Sequence, residues 1–184
     1  FHEQYPHVRL RISNHSTPQA IQALRSDIVD FAAVTTPLDI KSPLEKIPLA
    51  SYREILIGGR KYKKLAEHTQ KLEDIASLPF ISLDENSSTR ELYNSFFLEH
   101  GLSFAPDMET ATTDQMLPLI THNLGIGFYP KKMAELALTK GDVYQIPLEE
   151  KLPLRRIYLV TNGSTAKSTA VRKMIKFIQE YHKI

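Results

Sequence analysis

Three consecutive stretches near the start of the chain constrain what it can fold into. Residues 8–13, VRLRIS, alternate apolar and polar side chains with period two, which predicts a strand with one buried face. TPQAIQALRSD follows, with Thr17 as a helix N-cap, Pro18 suited to the first helical position, and Ile21 and Leu24 on one face with Ala20 at its edge. IVDFAAVTTP then supplies a short continuous apolar run closed by Pro37, the pattern of a strand covered on both faces in a parallel sheet. Strand, helix and strand within about 30 residues make a βαβ unit.

The pattern repeats along the chain. REILIGG is an extended stretch ending at Gly58-Gly59, and KLEDIAS a short helix before a buried strand at Phe80–Leu83. A helix then opens on a capping box at Ser88-Thr89-Arg90-Glu91 and stops at Gly101. TATTDQMLPLITHN predicts another helix, with Thr112 or Thr113 as cap and a disruptive Pro118 inside it. IGFY is a strand, PKKMAELALTKG a helix begun by proline and ended by glycine, VYQIPL extended, and RRIYLVTN a strand. The last helix runs from about Ser168 with Val171, Met174, Ile175, Ile178 and Tyr181 on one face. Alternating strands and helices predict an α/β fold with mostly parallel sheets. The final strand and helix lie apart from the middle set, so two lobes with crossovers near 49–56 and 147–156 are expected.

Several chemistries find no footing. The net charge is +2, from 23 basic and 21 acidic side chains, and a module that grips nucleic acid by itself carries a clear basic surplus. Lys167, Arg172, Lys173, Lys176 and Lys183 in the last helix read as a solvated face opposite its apolar stripe. There is no cysteine, hence no disulfide and no thiolate metal site. The histidines at 2, 7, 15, 68, 100, 122 and 182 form no i, i+4 pair and read as surface residues; no metal and no cofactor are expected. No run of about 18 apolar residues is present, so no membrane helix is expected. The start at Phe1 leads us to expect a piece of a longer chain.

LGIGFYP raises the question of a phosphate loop. It lacks the third glycine of G-x-G-x-x-G and lies between a helix and a strand, the reverse of the order such loops need. Gly125 is therefore read as a turn residue with positive φ, with Asn123 as helix terminator, and Gly127 as a point of close backbone approach. Three hydroxyl-rich helix starts remain: SNHSTP, NSSTR and TATTDQ. Helix N-termini offer unpaired N–H groups and partial positive charge to a carboxylate, sulfate or phosphate. Arg90 in a first turn opposes the helix dipole, so an anionic partner is expected to offset it.

With FHEQYPHVRLRI, IQALRSDIVDFAAV, IPLASYREILI, SLPFISL, STRELYNSFFLEHG and MLPLITHNLGIGFYP in this order, the chain resembles the effector-binding domain of LysR-type transcriptional regulators. The resemblance implies two Rossmann-like lobes of periplasmic-binding-protein type II architecture: residues 1–52 and 154–184 as lobe I, 53–153 as lobe II. It implies that the family's first regulatory strand and the helix after it are missing here. It implies a small-molecule effector, on our reading an organic anion, held in the interlobe cleft by Ser16, Thr17, Ser87, Ser88, Thr89, Thr112 and Thr113, with Gly127 and Phe128 as wall; Arg90 is added on the dipole argument. It further implies a cytoplasmic, non-enzymatic sensor, a homodimer or tetramer, touching DNA only through a winged helix-turn-helix absent here. A solute-binding protein of a transport system is the alternative on the same fold. An enzyme would need a base converging on the site, for which His15 and Asp114 are the only titratable candidates.

Overall fold

The computed structural model describes residues 1–181; His182 and Lys183, to which the sequence assigns a surface histidine and a cation on the last helix, lie outside the described residues. The chain divides into two compact units, Phe1–Ala50 with Arg156–Ile184, and Ser51–Arg155. Both seams fall in strands, one inside β2 (Leu44–Tyr52) and one at the head of β8 (Arg155–Asn162).

Unit 1 holds α1 (Thr17–Arg25), β1 (Phe31–Thr35), most of β2 and β8, and α6 (Thr169–Tyr181). Its sheet runs in the order β1-β8-β2. β1 pairs antiparallel with β8, Ala33 opposite Leu159. Burial in β1 alternates, with Ala32 and Val34 inside and Ala33 exposed. The expected doubly covered parallel strand is thus an antiparallel strand with one covered face. A run of small and β-branched residues fits either, because side-chain size does not encode partner direction. Ile21 and Leu24 of α1 pack on Ala32, Val34, Leu44 and Val160. Val8–Ser13 forms no strand, and Leu10 and Ile12 are exposed. Alternation is a local signal and a ladder needs a partner, which this segment lacks among the described residues.

Unit 2 is layered. β3 (Glu54–Gly59) lies between β6 (Ile126–Pro130) and β7 (Val143–Ile146), antiparallel to both. β4 (Ile81–Leu83) and β5 (Met108–Thr110) pair in parallel, and a parallel bridge between Phe80 and Ile126 sets them beside β6. Successive residues feed opposite cores. Leu56, Phe80 and Phe128 join Tyr93, Phe96 and Phe97 of α3 (Ser88–Glu99) and Leu72 and Ile75 of α2 (Leu72–Ile75). Ile57, Ile81 and Tyr129 join Met116 and Ile120 of α4 (Thr113–Thr121) and Ala134 of α5 (Lys131–Lys140). Coverage on both faces explains the uninterrupted apolar runs, although most of the ladder is antiparallel, against the expected parallel majority. A 3-10 helix at Arg60–Ala66 completes the unit.

Gly127 behaves as its place in a strand implies: a Cβ there would lie 2.8 Å from the Ile81 carbonyl oxygen. Gly125 does not take positive φ. Asn123 does, at 65°, and Gly125 is instead demanded by the Pro79 carbonyl oxygen, 2.6 Å from where its Cβ would stand.

Candidate functional site

The parallel register of β4 and β5 sets Leu83 opposite Thr110, so both strands end at the same edge of unit 2. Each is followed within a few residues by a helix, α3 from Ser88 and α4 from Thr113. Strands pair about 4.8 Å apart, which brings two helix N-termini to one place beyond the carboxyl ends of neighbouring strands. Asp84 N–H donates to Thr110 O at 3.1 Å, continuing the ladder past its last pair. Thr110 Oγ1 lies 3.3 Å from both Ser82 O and Thr112 O, tying the start of α4 back to β4.

In α3 the cap is Ser87, one residue earlier than the expected box at Ser88 and Glu91. Its Oγ accepts from Arg90 N–H at 3.1 Å and donates to Asp84 O at 2.9 Å, and its carbonyl takes Glu91 N–H. Ser87 is 2% exposed and its hydroxyl is spent inside the protein. Ser88 and Thr89 then carry first-turn N–H groups, which have no partner within the helix itself. Arg90 has partners of its own: Nη1 donates to Glu109 Oε1 at 2.6 Å and Leu83 O at 3.3 Å, and Nε to Asn94 Oδ1 at 3.2 Å. Its guanidinium also lies over the Phe104 ring. The charge that was expected to call for an external anion is offset by Glu109, three residues before Thr112 on the neighbouring strand.

In α4 the cap is Thr112, in a box with Gln115 whose Oε1 accepts from Thr112 and Ala111 N–H. Pro118 stays inside the helix. Asp114, in the first turn, acts on the Tyr129 hydroxyl of β6. Burial first and the Asp114 charge second hold that hydroxyl above its ordinary pKa of 10.0. The first turns of α3 and α4 thus gather Ser87, Ser88, Thr89, Arg90, Thr112 and Thr113 at one edge.

Four expected residues do not belong to these two first turns. Ser16 and Thr17 belong to unit 1, where Ser16 caps α1 with Gln19, whose Oε1 accepts from Ser16 N–H at 3.1 Å. Thr17, expected as that cap, is the first helical residue. Gly127 and Phe128 are core and no cleft wall: Gly127 lies against Ile81, and the Phe128 ring, 2% exposed, packs among Phe80, Tyr93 and Phe96. The histidines within the described residues are exposed, His15 among them. Among the described residues no cluster of three metal-ligating side chains occurs, and no helix is long and apolar enough to cross a membrane.

A buried polar network beside α3 escaped the sequence. Arg155 and Glu54, side chains 2% and 4% exposed, pair with Nη1 to Oε1 at 2.8 Å. Arg155 Nη2 donates to Thr89 Oγ1 at 2.9 Å, and the guanidinium stands over the Tyr52 ring. The buried Tyr93 hydroxyl acts on the Glu54 carboxyl. Burial raises the Glu54 pKa above 4.5 against the opposing pull of Arg155 and Tyr93, and raises Tyr93 well above 10.0, with the Glu54 charge adding to it. The sequence trace is a pair of arginines heading β8, a weak signal when the partner of Arg155 is 101 residues away.

With this geometry in hand, comparison with known proteins places the chain. The model of the LysR substrate binding domain matches residues 1–183. A probable RuBisCO transcriptional regulator of Guillardia theta is 23% identical over 175 residues, covering 92% of this chain and 56% of its own length. The uncharacterized HTH-type transcriptional regulator YeiE of Escherichia coli is 21% identical over 177 residues, covering 96% of this chain and 60% of its own length. This chain thus spans a little over half the length of these relatives. The effector binding domain of QuiR in complex with shikimate superposes with a TM-score of 0.77 at 22% identity, covering 91% of this chain and 78% of that one. The Synechocystis CcmR regulatory domain in complex with 2-PG gives 0.80 at 16% identity, covering 99% and 87%. The fold is that of these regulatory domains, and the chain belongs to the LysR substrate binding domain family.

Proposed function

We propose that this chain is the effector-sensing part of a LysR-type transcriptional regulator, and that it binds a small organic anion at the paired starts of α3 and α4. The observation that carries the reading is the parallel pairing of β4 and β5, which brings both helix N-termini to one edge. Ser88, Thr89 and Thr113 supply hydroxyls and first-turn N–H groups there; Ser87, Arg90 and Thr112 shape the turns. That related folds are described with shikimate, 2-PG or a bromide ion supports a small ligand of this class. The chain works by binding and not by catalysis, in the cytoplasm, as a homodimer or larger assembly, and reaches DNA through a part of the longer regulator beyond these residues.

Bound ligand favours the state it binds more tightly, and the DNA-reading part responds to that shift. A thermal-shift screen against small organic acids tests the reading, since a ligand that binds only the folded chain raises its melting temperature by mass action. At least one carboxylate should stabilise the wild type, and Ser88→Ala should weaken that shift while leaving the unliganded melting temperature nearly unchanged. Stabilisation by neutral compounds alone, or an undiminished shift in Ser88→Ala, would count against the site.

A further inference from the structure

Glu54 heads β3, just after the chain comes into unit 2, and Arg155 is the last residue before it leaves. Their ion pair therefore joins the two points at which unit 2 is spliced into the chain. A buried pair is a weak source of net stability, because desolvation consumes most of the attraction. What it does supply is fixed geometry. One helix serves both partners: Thr89 Oγ1 accepts from Arg155, and Tyr93, four residues further along the same face of α3, acts on the Glu54 carboxyl. The Tyr52 ring lies against the guanidinium on the chain's inward path. If Thr89 shifts, the Arg155 N–H that it accepts must follow or give up that bond, and following is the cheaper response.

We propose that Arg155 is a positioning residue that carries displacements of the first turn of α3 to the head of β3 and the head of β8. The inference rests on the reading that a ligand settles on that turn. Arg155 itself need not touch the ligand; it couples through Thr89, and Tyr93 with Glu54 closes the linkage.

The test is a nuclear magnetic resonance titration of the 184-residue chain with inorganic sulfate, an anion that does not titrate near neutral pH. The reporters are the backbone amides of Ser88 and Thr89, the guanidinium signals of Arg155, and the amides of Ile55 and Arg156. In the wild type all should move on one binding curve with one apparent Kd. In Arg155→Lys and Glu54→Gln, Ser88 and Thr89 should still move, while the responses at Ile55 and Arg156 shrink several-fold. A merely structural role would lower stability without separating these two groups of signals. If Ser88 and Thr89 move in the wild type while Arg155, Ile55 and Arg156 stay still, the coupling is overturned and the anion site stands. If Ser88 and Thr89 themselves stay still, the anion site falls and takes the coupling with it. Full responses at Ile55 and Arg156 in both variants also overturn it. Should a variant fail to fold, the wild-type titration decides alone.

Discussion

Arg90 and Arg155 each hold a carboxylate at short range, but their loss exposes different things. Truncating Arg155 leaves Glu54 buried with no cation, and removing one partner of such a pair costs about 3–5 kcal/mol. Glu109 is 43% exposed, so after Arg90→Ala water takes over its solvation and the cost falls to about 1–2 kcal/mol. Urea unfolding of Arg155→Met and Arg90→Ala should show this order; equal losses would mean that exposure is not what separates them. Glu54 adds a pH signature. It binds its proton more tightly in the folded chain than in the unfolded one, so the stability it contributes is complete below 4.5 and fades as pH rises through its raised folded value. The melting temperature of the wild type minus that of Glu54→Gln should therefore grow as pH is lowered from neutral toward 4.5. A difference that shrinks on acidification would show that Arg155, rather than burial, sets that carboxyl's pKa.

At the scale of helices and strands, capping residues were legible by type and displaced by one position in two of three helices. SNHSTP and NSSTR each offer adjacent hydroxyls, and which one caps depends on where the preceding strand releases the chain. Ser87→Ala should cost about 1 kcal/mol of stability as a lost cap, measured by thermal unfolding, whereas Ser88→Ala should cost far less. Strand direction was not legible. Leu56 and Ile57 serve opposite cores, so their apolar run reports two covered faces and says nothing of whether β6 and β7 run with or against β3. Arg90 misled for a related reason: its place in the first turn is local information, and Glu109 reaches it through the β4 and β5 pairing, which is not. Gly127 was legible because a glycine inside an apolar strand has few explanations. Gly127→Ala should destabilise by about 1–3 kcal/mol, since the opposing atom is a backbone oxygen that cannot rotate away. A near-neutral result in chemical denaturation would mean that β4 gives way.

For the whole molecule, the division into two units follows from a chain that starts in one, builds the other, and comes back. RRIYLVTN pairs with β1 in the first sheet, a neighbour that its separation from the middle set did not name. The buried contact between Glu54 and Arg155 was not legible either, because nothing local announces a pairing across that span. Its consequence is modular. A segment whose two ends are clasped together can be lifted out or set into another host without prising its ends apart. Residues 51–155, expressed alone, should unfold in one cooperative transition; a broad, non-cooperative melt would show that the segment depends on the rest of the chain. If it does stand alone, the arginine clasp makes this segment a cartridge: two adjacent splice points are all a new host must provide.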